Sequence, residues 1–149
     1  MEIQIKKLSH AEGIATPYYA TTQSAGMDIS AAVDTSITIM PFERLLVPTG
    51  IIIAIPQGYE GQIRPRSGLA LRYGITILNA PGTIDSDYRG EIKICLINLS
   101  QQPYKIKRGD RIAQLIITAI HRIVWNTWID DLLINKTSRN EGGFGSSGR

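Results

Sequence analysis

Glu91-Ile92-Lys93-Ile94-Cys95-Leu96-Ile97-Asn98-Leu99 is the stretch that decides the fold. Ile92, Ile94 and Leu96 fall on one face at the two-residue period of a strand. The other face carries Lys93, Cys95, Ile97 and Leu99 and is largely apolar too. A strand apolar on both faces needs two burial surfaces. One is the interior of a sandwich. The other is a subunit interface or a second layer of the same chain, and the pattern alone fits both.

The same alternation recurs on either side. Thr35–Met40 puts Ile37 and Ile39 on one face, and Ile51, Ile53 and Ile55 do so before the break at Pro56-Gln57-Gly58. Arg111–Ile120 is a long β-branched run. Short strands broken by Gly, Pro, Asn and Asp predict an all-β sandwich or barrel. Ser67–Tyr73 (SGLALRY) is the exception. It reads as one short helix, with Ser67 as N-cap and Gly74 as its stop. No internal repeat interrupts this pattern.

Composition narrows the class. The chain has 149 residues, 43% hydrophobic and 19% charged, which predicts a single globular domain. A net charge of +3 permits a polyanionic ligand without demanding one. One cysteine excludes an intrachain disulfide. MEIQIKKLSH lacks the apolar run of a signal peptide, and no segment approaches the ~20 apolar residues of a spanning helix. These features predict a soluble protein of a reducing, cytoplasmic compartment, with no membrane partner.

Several clusters offer chemistry, each with a plain structural alternative. Ala25-Gly26-Met27-Asp28 is a turn entering a strand, with Asp28 free to bond local backbone or a ligand. In Arg64-Pro65-Arg66-Ser67-Gly68-Leu69-Ala70 a helix start offers free N–H groups beside Arg66, which suits phosphate. A capped surface helix with a solvated arginine explains the same residues. Asn79–Gly90 reads as an elaborated hairpin turn. Its backbone can read the edge of a flat base, with Asn79 as partner and Tyr88 as a ring against sugar or base. Asp85 there can orient a water and take its proton, or can simply form the turn. In Arg108-Gly109-Asp110-Arg111-Ile112-Ala113-Gln114, the Gln114 amide sits in an apolar strand and needs a partner. The segment 135–149 (NKTSRNEGGFGSSGR) predicts a flexible Gly/Ser-rich arm after a β domain at 1–134. Its Arg139, Phe144 and hydroxyls suit a phosphorylated nucleotide. Two histidines and one cysteine give no zinc spacing.

In order, AGMDISAA, RPRSGLAL, NAPGTIDSDYRGEIKICLIN, RGDRIAQLII and RNEGGFGSSG resemble the five motifs of the homotrimeric dUTPase family, from Ala25 to Gly148. The resemblance implies a jelly-roll-type β-sandwich or distorted barrel of the β-clip kind. It also implies a homotrimer whose active sites are shared between subunits. The implied activity is that of a dUTP diphosphatase. It converts dUTP to dUMP and pyrophosphate with Mg²⁺, keeping uracil out of DNA and supplying dUMP for thymidylate synthesis. Asp85 matches the residue that activates water against the α-phosphorus. Asn79, Thr83, Ile84, Tyr88 and Lys93 match positions around uracil and deoxyribose in a Thr83–Lys93 hairpin, with Phe144 stacking over uracil. Arg66, Ser67, Gly68, Gln114, Arg139, Gly145, Ser146 and Ser147 match phosphate-binding positions. Asp28 matches a residue that reaches Mg²⁺ through water. The family often has Gly where Asn140 stands; if that position needs a positive φ, Asn is the next most tolerant residue.

Two other classes compete. A dCTP deaminase would need a carboxylate placed for deamination and a different second motif. A single-stranded nucleic-acid module would show several exposed aromatics along a basic groove. Aromatics are only 7% here, so no nucleic-acid partner is expected.

Overall fold

The computed structural model describes residues 1–127 and 137–143. Its strands in chain order are β1 (Gln4–Lys7), β2 (Tyr18–Tyr19), β3 (Met27–Ser30), β4 (Ile37–Ile39), β5 (Arg44–Pro48), β6 (Ile51–Ala54) and β7 (Tyr59–Arg64). The helix α1 (Ser67–Tyr73) follows, then β8 (Ile75–Ile77), β9 (Gly82–Ile84), β10 (Lys93–Asn98), β11 (Tyr104–Ile106) and β12 (Arg111–Ala119). All pairs are antiparallel. The largest sheet has the order β2-β3-β12-β7-β9, and a second runs β5-β10-β8. β1 pairs with β6 and β11 with β4. The chain is mostly β with one short α-helix, as expected. Among the described residues the sheets are open and no closed barrel forms.

Alternation decides what is buried. On β10, Ile94 lies opposite Val47 and Leu96 opposite Leu45. Ile92, Ile94 and Leu96 are each 1% exposed. Cys95 on the other face is half-buried and lies opposite Leu46, which is 60% exposed, so that face is the less covered one among the described residues. Ile51, Ile53 and Ile55 are buried as their spacing predicts. β12 runs between β3 and β7, and its register shifts between Arg111 and Ala113. A bulge of this kind breaks the two-residue alternation, and the consecutive Ile112 and Ala113 are both buried. Asn98, the polar residue at the end of β10, is fully buried but satisfied. Its amide donates to Ile39 O and Gln102 O, and its Oδ1 accepts from Ser100.

Two expectations change. Helix α1 begins at Ser67, yet its N-cap is Arg66, in extended conformation, and no side chain caps it. Arg66 stays outside the helix while its guanidinium bonds Asp28. The stop at Gly74 stands as expected: its φ is 65° and its N–H donates to Leu69 O and Ala70 O. The stretch Asn79–Gly90 does link two paired strands, β8 and β10. Inside it, however, β9 pairs with β7 and not with β10. Thr83–Lys93 is therefore a crossing between sheets rather than a hairpin ladder. Missing side chains permit this: Gly61 faces Ile84 and Gly82 faces Ile63, and an added Cβ at either would come within 3.4 Å of its neighbour.

Candidate active site

Where β9 crosses to β10 the chain encloses a cavity of about 410 Å³. Asn79, Thr83, Ile84, Asp85, Tyr88 and Lys93 line it, over apolar walls from Ile63, Ile77, Ile92 and Ile94. Every base- and sugar-site residue expected from sequence is in that wall except Phe144, which lies outside the described residues. Asp85 directly follows β9 and is exposed. Among the described residues no Lys, Arg or His forms an ion pair with it. The Tyr88 N–H donates to Asp85 O (3.1 Å) and its hydroxyl to Glu91 O (3.0 Å), folding the loop on itself. Gly90 makes room for this ring, since an added Cβ would stand 2.4 Å from the Tyr88 hydroxyl oxygen.

Glu91 also lines the cavity. Burial would raise its pKa, but the hydrogen bonds from His10 and the Gly50 N–H, with the charges of His10 and Lys93, outweigh that and hold it below the usual carboxylate value.

A second cluster forms around Asp28 on β3. Its side chain is 7% exposed. Arg66 Nε bonds its Oδ1 at 2.9 Å and Arg111 Nη1 its Oδ2 at 3.0 Å. Arg66 also donates to Arg111 O. A buried carboxylate requires such pairing. Gln114 is the ladder partner of both Asp28 and Arg64, and it packs over Gly26, where an added Cβ would meet it at 3.4 Å. Ser67 and Gly68 open helix α1 next to Arg66. Arg66, Ser67, Gly68 and Gln114 thus gather near Asp28, but none of them lines the cavity.

Arg139 sits in an exposed local turn. Its Nε donates to Gly142 O, while Thr137 and Asn140 exchange hydrogen bonds. Asn140 has φ 39°, a left-handed conformation that Asn tolerates better than most residues. Gly145, Ser146 and Ser147 lie outside the described residues, as does much of the proposed arm.

Sequence reading missed three participants. Arg111 stands within a quoted motif, but nothing local ties it to Asp28, 83 positions earlier. Glu91 stands within the third quoted motif, but in sequence it reads as the polar start of an apolar strand and is given no site role. His10 belongs to no pattern at all.

A β framework with a cavity of about 410 Å³ beside a carboxylate that has no cationic partner among the described residues, and a separate arginine-rich cluster, fits a nucleotide-binding β protein. Residues 12–148 match the family model for dUTPase. The chain is 65% identical over 149 residues to the deoxyuridine 5'-triphosphate nucleotidohydrolase of Wolbachia pipientis subsp. Culex pipiens (strain wPip), covering 100% of this chain and 97% of that protein. It is 55% identical over 121 residues to the protein of that name from Aquifex aeolicus (strain VF5), covering 81% of each. Among solved structures it is similar to the Staphylococcus bacteriophage 80alpha dUTPase with dUPNHPP, with TM-score 0.88, 27% identity and 99% of each chain covered. A point-mutant dUTPase from phage phi11 of S. aureus, whose structure reveals the coordination of a structural Mg(II) ion, matches with TM-score 0.75 at 25% identity, over 88% of this chain and 99% of that one. The chain belongs to the dUTPase family.

Proposed function

We propose that this chain hydrolyses dUTP to dUMP and pyrophosphate, with Asp85 as the catalytic carboxylate. The cavity carries the reading: its wall combines an isoleucine-lined space, backbone and amide partners, a tyrosine ring and one carboxylate without a cationic partner among the described residues. Thr83, Ile84 and Asn79 hold uracil by hydrogen bonds, and Tyr88 packs against deoxyribose where a 2′-hydroxyl would intrude. A site built from fixed hydrogen bonds rejects cytosine strongly, because a reversed donor and acceptor leave buried groups unpaired.

The Asp85 carboxylate orients a water and takes its proton as the water oxygen bonds the α-phosphorus. The bond to the β-phosphate oxygen breaks and pyrophosphate leaves. General-base help of this kind supplies about 10²–10⁴-fold. Arg66 and Arg139 offset phosphate charge, with Ser67, Gly68 and Gln114 adding hydrogen bonds. Phe144, Gly145, Ser146 and Ser147 close the site from the arm.

Asp28 suits Mg²⁺ as an outer contact. It offers oxygen donors, as Mg²⁺ prefers, yet it is already engaged by two arginines. Among the described residues no group of three His, Cys, Asp or Glu is placed to cage a metal. Such a donor set fits an ion carried on the triphosphate and reached through water. When bound, Mg²⁺ neutralises charge on the phosphate oxygens.

A homotrimer with shared sites belongs to the same proposal. Two observations support it: Arg66, Ser67, Gly68 and Gln114 stand apart from the cavity, and Leu46 and Leu99 are left more than half exposed. No described helix is long and apolar enough to cross a membrane. A cytoplasmic setting suits the substrate and the single cysteine.

Pyrophosphate release from dUTP, dCTP, dTTP and UTP, each with Mg²⁺ and with chelator, tests the function. Fast, Mg²⁺-dependent release from dUTP alone is the expected result. Deamination of dCTP, or no release from any of them, overturns it.

A further inference from the structure

We propose that Glu91 is a positioning residue for the substrate cavity, braced from behind by His10, and that this brace sets where Tyr88 and Lys93 stand. The inference rests on the cavity being the base and sugar site.

Glu91 is where the contacts converge. Its side chain is 14% exposed. Oε1 accepts from His10 Nε2 and from the Gly50 N–H, both at 2.8 Å. Oε2 lies 3.8 Å from Lys93 Nζ. Its backbone oxygen accepts the Tyr88 hydroxyl. An ionised carboxylate is an acceptor only, so His10 is the donor in the bridge. The anchors behind Glu91 are themselves held. Gly50 adopts φ +65° against Ala11. The Ile92 N–H donates to Ile51 O, and the Thr49 hydroxyl to Ile92 O. His10 sits in the 3-10 turn Ser9–Ala11, and Arg108 donates to His10 O and Glu12 O on either side of that turn's end.

A line of short contacts therefore runs from Arg108 through His10 and Glu91 to two cavity residues. Among the described residues, His10 and Lys93 are the titratable groups that face the Glu91 carboxylate. Neither Glu91 nor His10 bonds Asp85. The brace should govern how substrate is held and leave the attack on phosphorus largely alone. His10, 32% exposed, can be changed without opening a cavity in the core.

Steady-state hydrolysis of dUTP and thermal melting of wild type, Glu91→Ala, Glu91→Gln and His10→Ala test this. Wild-type turnover checks the underlying reading by itself, and its absence would remove that reading and this one together. With an active wild type, Glu91→Ala is expected to raise KM about tenfold, the loss of one charged hydrogen-bond hub, with kcat within about threefold. Glu91→Gln keeps an acceptor for the Gly50 N–H and is expected to recover most of that loss. His10→Ala is expected to raise KM severalfold. Unchanged KM in both alanine variants overturns the proposal, even with a lowered Tm, because the brace would then serve stability alone. A fall in kcat at unchanged KM overturns it too. Should Glu91→Ala not fold, His10→Ala decides by the same criterion.

Discussion

Asp85 and Asp28 are both acidic residues in glycine-bearing motifs, yet their surroundings separate their work. Asp28 is buried between two guanidiniums, while Asp85 stands exposed at the cavity without a cationic partner among the described residues. Asp85→Asn should keep the shape of the site and lose its proton acceptor. Turnover of dUTP should fall by about 10²–10⁴-fold while dUMP binding, measured by calorimetry, holds. Equal loss of both would remove Asp85 from the catalytic role. Glu91 gives a second prediction at this scale. Its folded pKa lies below the ordinary 4.5, so its stabilising effect is complete above about 4.5. That effect is lost as pH falls through the lower folded value. The Tm difference between wild type and Glu91→Gln should thus be largest near neutral pH and shrink toward pH 4 and below. The residue types at Asp28 and Asp85 are legible in sequence. Their opposite environments are not, because Arg66 and Arg111 reach Asp28 from other strands and loops.

At the scale of elements, one apolar strand and one glycine turn hold the site in place. β10 and the residue before it supply the cavity wall and the buried row Ile92, Ile94 and Leu96. The turn between β5 and β6 holds the other side of Glu91. At Gly50 a Cβ would fall 2.3 Å from the Ala11 Cβ, at a φ of +65°. Gly50→Ala combines overpacking with an unfavourable backbone conformation, so it should cost at least about 1–3 kcal/mol in chemical denaturation. Stability equal to wild type would show that the Ser9–Ala11 turn moves aside freely. Alternation and β-branching make most strands readable from the order of residues alone. The pairing of β9 with β7 is not readable in this way. A three-residue strand has almost no period, and its partner is chosen by where Gly61 and Gly82 leave space.

At the scale of the molecule, one chain brings together the described base-site candidates and, apart from them, Arg66, Ser67, Gly68 and Gln114. It also leaves Leu46 and Leu99 more than half exposed. We expect light scattering to give a mass near three chains. An active, stable monomer would contradict the shared-site proposal. Sequence alone determined the mostly-β class, the short helix ending at Gly74, the family and the polar cavity residues Asn79, Thr83, Asp85, Tyr88 and Lys93, since two-residue periodicity and ordered motifs are local properties of the chain. Tertiary structure alone decided that β9 crosses between sheets, that Arg66 rather than Ser67 precedes the helix, and that Arg111 closes on Asp28. It alone joined His10 to Glu91, 81 positions away. Those outcomes depend on which distant groups can pair when water is excluded, and no local pattern in the chain encodes that choice.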